Sequence, residues 1–119
     1  MSTSPTLTVL HLRFKLRVPP ADLLGHSREA ATHIASAEGL IWKIWVLQTE
    51  KSEMGGIYLF ANRESALTYL NHPVIQALCS NPVVVSTESQ IWEVESSLSA
   101  LTRGPLENLE PVAVMAGGR

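Results

Sequence analysis

The residues best suited to chemistry in this sequence sit inside apolar runs. His11 stands in LTVLHLRFKL, Lys43 in LIWKIWVLQ and Tyr58 in IYLFA. Imidazole titrates closest to neutral pH of the common side chains, so His11 is a candidate for proton transfer in either direction. Its structural alternative is an interface position or a hydrogen bond to a backbone carbonyl. A lysine among apolar neighbours needs a carboxylate, a route to solvent or a ligand anion. Lys43 is therefore a candidate anchor for a phenolate or carboxylate. An ion pair with Glu93, or a chain that snorkels to water, is the favoured alternative. Tyr58 and Tyr69 can each hydrogen-bond a substrate oxygen. Trp42, Trp45 and Trp92 can line the pocket of an aromatic ligand, with core or interface packing as the competing role. Trp42 and Trp45 are an odd number of residues apart, so on a strand they face opposite sides.

Metal chemistry has little support. His26 and His33 share a helix face but lie seven residues apart, ~10 Å along the axis, too far to share one ion. Glu29 and His33 have a compatible spacing, yet two ligands on an exposed face more often form a solvated pair. His72 precedes Pro73, where it can cap a helix or edge a pocket. The lone Cys79 has no basic neighbour, and burial is its usual state. No dinucleotide or phosphate-binding motif is present. The expectation is no metal and no organic cofactor.

The elements that position these residues follow from periodicity. Residues 7–16 alternate with period two, a strand signal. Residues 20–38 read as a helix opened by Pro19–Pro20 and closed at Gly39. Residues 40–48 are apolar on both sides and read as a doubly buried strand. Gly55–Gly56 reads as a turn or bulge before a third strand over 57–61. Asn62 is an N-cap candidate for a helix over 63–71, and residues 74–78 add one or two turns. Residues 83–95 contain a fourth strand, bent or bulged near Ser86–Ser89. Residues 96–104 read as a short helical or arm-like segment. The order β-α-β-β-α-β is the ferredoxin-like, α+β arrangement.

The chain length fits one small domain, assigned to residues 1–104. Residues 105–119 lack periodicity and read as a tail, mobile or docked on a partner subunit. Apolar residues make up 45% and charged residues 17%, against ~25% charged in ordinary soluble domains. A sheet covered on one face only, with so few charges, predicts a homodimer built face to face. The net charge is −2 with no basic run, which speaks against nucleic acid. No stretch approaches the ~20 apolar residues of a membrane span, and a single cysteine fits a reducing cytoplasm.

Between Gly39 and Leu70 the sequence reads GLIWKIW, a polar loop, GGIYLF and RESALTYL. Gly39, Trp42, Lys43, Trp45, Gly55, Gly56, Ile57, Tyr58, Leu59, Phe60, Ser65, Ala66, Tyr69 and Leu70, with Leu10–His11 upstream, resemble the YdhR-type mono-oxygenase family. The resemblance implies a dimeric α+β barrel fold and oxygenation without flavin, haem or metal. It implies a small aromatic, phenolic or polyketide-like substrate, whose anion donates an electron to oxygen. A cofactor-free cyclase or isomerase, and a non-enzymatic binder, are the alternatives. The expected catalytic residues are His11, Tyr58 and Lys43; the expected pocket residues are Trp42, Trp45, Tyr69, Trp92 and His72.

Overall fold

The alternating run near the N-terminus folds as β1 (Thr8–Leu16), which buries Thr8, Leu10, Leu12, Phe14 and Leu16 on one face. The computed structural model describes residues 6–107. After β1 come α1 (Ala21–Ala35), β2 (Leu40–Gln48), β3 (Glu53–Phe60), α2 (Arg63–Leu70), α3 (Pro73–Cys79), β4 (Val84–Glu93) and α4 (Ser96–Leu101). The four strands form one antiparallel sheet in the order β2-β3-β1-β4. This is the ferredoxin-like α+β fold. The core lies between the sheet and the helices, where Leu10, Leu12, Tyr58 and Phe60 meet Ile34, Ala66, Tyr69 and Ile75.

Local chemistry accounts for the helix boundaries. The Asn62 side chain accepts from the Ser65 backbone N–H at 2.8 Å and opens α2. His72 Nδ1 accepts from the Val74 N–H at 3.1 Å, and Pro73 takes the first turn of α3, where its missing N–H costs nothing. Helix α1 ends earlier than expected, at Ala35. Gly39 serves the turn into β2 instead, with φ of +81°, and a side chain there would collide with Ser65.

Three expectations need correction. Gly55–Gly56 is not the turn. The chain reverses through a short 3₁₀ segment at Thr49–Lys51 and a left-handed Ser52, and β3 already runs from Glu53. Strand β2 is an edge strand, and Ile44 and Leu47 on its two faces are 52% and 45% exposed. Its apolar faces therefore look outward as well as inward. The irregularity in β4 falls near Val85, where the register shifts between Lys15 and Leu16, not at Ser86–Ser89.

Candidate active site

Register assigns each candidate on a strand to a face of the sheet. Tyr58 sits between Leu10 and Lys43 across the sheet, and Gly56 between Leu12 and Trp45. Lys43, Trp45, Tyr58 and the core residues of β1 thus share the helix-covered face. His11 pairs with Ile57 and Gln90, Trp92 with Val9, and Trp42 with Leu59. These three candidates belong to the opposite, open face. Tyr69 projects from α2 into the core, and His72 sits at the junction of α2 and α3. The structure brings Lys43, Trp45, Tyr58 and Tyr69 together and separates them from His11, Trp42 and Trp92 by the thickness of the sheet.

The expected Lys43–Glu93 pair does not form. Their strands are the two edges of the sheet, ~14 Å apart across three strand spacings. The Lys43 amine instead lies 3.2 Å from the centroid of the Trp45 ring and 4.7 Å from that of Tyr58. Among the described residues it makes no ion pair and no hydrogen bond. Burial disfavours the ammonium and lowers its pKa from 10.5 to about 7. Gly56 makes this arrangement possible. A side chain there would strike the end of the Lys43 stem and the edge of the Tyr58 ring.

Behind the amine, the Tyr58 and Tyr69 hydroxyls share a 2.8 Å hydrogen bond inside the core. Both rings also contact Phe60. Burial raises both phenol pKa values, to about 12 for Tyr69 and further for Tyr58, where the neighbouring Tyr69 adds to the effect. Both stay protonated at neutral pH.

Lys43 and Trp45 form one wall of a cavity of about 170 Å³ between α1 and the sheet. Phe14, Leu16, Leu23, Ala30, Ile34 and Met54 make the rest mostly apolar. Its volume falls below the ~300–1,000 Å³ of drug-sized ligand sites, which suits a ligand of one or two rings. His26 and Ser27 of α1 add polar groups. A second cavity of about 310 Å³ lies between the end of α1 and helices α2 and α3, with Tyr69, His72, His33 and Glu38 on its walls. His11 lines a more open hollow of about 300 Å³ on the other face, beside Arg13, Val46 and Glu53. Trp42 on that face is spoken for, since its indole N–H donates to the Pro105 carbonyl at 2.7 Å.

Sequence reasoning missed His26 as a cavity residue and Gly56 as a space-maker. Helical spacing does carry a signal for the first, because His26 shares a stripe with Leu23 and Ala30.

The family model described as "Putative mono-oxygenase ydhR" matches residues 9–105. The chain belongs to the YdhR mono-oxygenase family. No curated protein sequence matches it significantly. Among solved structures, SnoaB, a cofactor-independent oxygenase from Streptomyces nogalater, superposes with a TM-score of 0.62 at 12% identity, covering 78% of this chain and 97% of its own. A protein of unknown function from Nitrosomonas europaea gives 0.59 at 17% identity, covering 79% and 94%. A "putative Antibiotic biosynthesis monooxygenase" from Chloroflexus aurantiacus gives 0.55 at 13% identity, covering 75% and 93%. At these identities the likeness is one of fold. Within the YdhR match lie all eight candidate site residues, on both faces of the sheet. No helix among the described residues is long and apolar enough to cross a membrane.

Proposed function

We propose that this YdhR-family chain is a cofactor-independent mono-oxygenase whose substrate, a small aromatic, phenolic or polyketide-like compound, binds between α1 and the sheet. One observation carries the reading: an amine without a carboxylate stands over two aromatic rings at the wall of an apolar cavity. Such an amine is substantially neutral near pH 7 and can take the proton of a bound phenol. The phenolate then reduces dioxygen by one electron, and the two radicals combine. Loss of water gives the oxidised product, so substrate and O₂ supply every electron. The apolar walls exclude water from the radical pair. Trp45 offers an aromatic face to the ligand, and the Tyr58–Tyr69 pair packs in the core behind the amine. SnoaB's description as a cofactor-independent oxygenase supports the assignment by fold analogy.

In the same reading the open face meets a second copy of the chain. Ile44 and Trp92 are more than half exposed on that face, and leaving such groups in water costs ~1.5–3 kcal/mol each. His11 reaches a ligand only if one binds at that junction. Sedimentation at micromolar concentration should give a dimer.

Oxygen uptake with hydroquinones and naphthols tests the chemistry. Uptake that depends on Lys43 supports it. Anaerobic conversion of the same compounds identifies a cyclase or isomerase instead. Uptake abolished by His11→Ala and untouched by Lys43→Met moves the site to the open face.

A further inference from the structure

The same amine is suited to a reaction that oxygenation does not need. We propose that Lys43 captures small aromatic aldehydes and activated ketones, condensing with the carbonyl carbon to form an imine in the cavity between α1 and the sheet. The inference shares with the oxygenase reading the premise that this cavity admits a small aromatic ligand, but its chemistry is separate.

Three features of the geometry point there. The first is the freedom of the nitrogen. Among the described residues no carboxylate or hydrogen-bond acceptor engages it, so its lone pair is not committed once the proton leaves. The chain's other two lysines, Lys15 and Lys51, are both solvent-exposed, and the Lys15 amine donates to the Lys51 carbonyl at 3.3 Å. Neither lines the cavity. The second is the cavity itself. Its walls of Phe14, Leu16, Leu23, Ala30, Ile34 and Met54 favour an aromatic ring. They also favour the dehydrated product over a hydrated intermediate. The third is Trp45. Its ring face, 3.2 Å from the nitrogen, attracts a cation, and a protonated imine is a cation.

The step balances without an oxidant or reductant. The amine lone pair adds to the carbonyl carbon, and the oxygen takes a proton. The resulting carbinolamine loses that oxygen as water and becomes the protonated imine. His26, on the wall of the same cavity, is the titratable group available to supply and recover the proton.

The test is reductive trapping on the full chain. Benzaldehyde or a naphthaldehyde is incubated with the protein and cyanoborohydride at neutral pH, and the adducts are mapped by peptide mass spectrometry. With three lysines in the chain the map is simple. The expected result is an adduct at Lys43 in roughly tenfold or greater excess over Lys15 and Lys51, saturating with aldehyde. Lys43→Arg removes that adduct and leaves the other two. Ala30→Phe, which fills the cavity, lowers it while Lys15 and Lys51 label as before. Equal labelling of all three lysines overturns the proposal. So does labelling of Lys15 and Lys51 without Lys43, and so does a Lys43 adduct indifferent to Ala30→Phe. Oxygen uptake with phenols is measured in separate samples. An adduct without uptake defeats the oxygenase reading alone, and uptake without an adduct defeats this one alone.

Discussion

Lys43 and Arg13 are basic residues on one four-stranded sheet, with β3 between their strands, and they live under opposite rules. Arg13 stands on the open face and meets Glu88 at 2.7 Å, with both side chains about half or more exposed. Water solvates each partner, so the pair contributes little to stability. Lys43 stands on the helix face with aromatic rings where Arg13 has a carboxylate and water. No carboxylate offsets the desolvation there, and burial makes the amine a base near neutral pH. The pleat alone decides which cation is reactive. His11 and Tyr58 repeat the contrast, because adjacent strands carry them on opposite faces.

The largest expected effect is on turnover. Lys43→Met should lower kcat/KM for an oxidised phenol by ~10²–10⁴-fold, the usual range for losing a positioned acid or base. In the parent, the rate should climb as pH rises through about 7, where the amine sheds its proton. A pH profile flat between 6 and 8 would remove Lys43 from the reaction.

Gly55→Ala comes next. The added methyl would strike the Leu12 backbone carbonyl on the neighbouring strand, and overpacking of this kind costs ~1–3 kcal/mol. Denaturant titration should report the loss, while Ala at exposed Gly25, inside α1 with open space around it, should raise stability by the ~0.5–1 kcal/mol that alanine gains over glycine in a helix.

The same Lys43→Met substitution should raise stability while it removes activity. The sign follows from linkage. The unfolded chain binds the lysine proton more tightly than the folded one, with 10.5 against about 7. The cost is therefore complete below about pH 7 and fades as pH rises toward 10.5. Discounted for partial access to solvent, it is roughly 1–3 kcal/mol. Thermal melts at pH 6.5 should favour the methionine variant, and the gap should narrow at pH 9–10. A gap that widens with pH would contradict the desolvation argument.

Smaller effects sharpen the contrast between faces. Tyr69→Phe strands the buried Tyr58 hydroxyl, at ~1–2 kcal/mol. Glu88→Gln on the open face should shift stability by less than ~0.5 kcal/mol and depend on salt. If the two costs prove equal, burial is not what distinguishes the faces.

Much of the framework was legible in the residues. Alternation from Thr8 to Leu16 reveals β1 and its buried set, and Asn62 announces α2 through a cap that does form. Odd spacing separates Trp42 from Trp45. Parity, however, gives only relative faces. Which tryptophan joins Lys43 in the cavity depends on the register of β2 against β3, and that is set by contacts far apart in sequence. The fate of Lys43 was hidden for the same reason: Glu93 looked near it only while strand order was unknown. Gly56 reads as a turn because a glycine signals backbone freedom and empty space alike, and only the neighbouring Lys43 and Tyr58 tell which is used. The tail expected over 105–119 lies beyond the described residues from position 108 onward.

The closeness of Lys43 to Trp45 has an optical consequence. Indole emission responds to charge held against the ring, and here the nearest charge is the one that titrates or reacts. The other two indoles, one tethered to Pro105 and one out on the open face, stand apart from that charge. With Trp42 and Trp92 replaced by phenylalanine, fluorescence would come from Trp45 alone. Its intensity would then follow the protonation of a single amine, and would change in real time as a ligand arrived beside it.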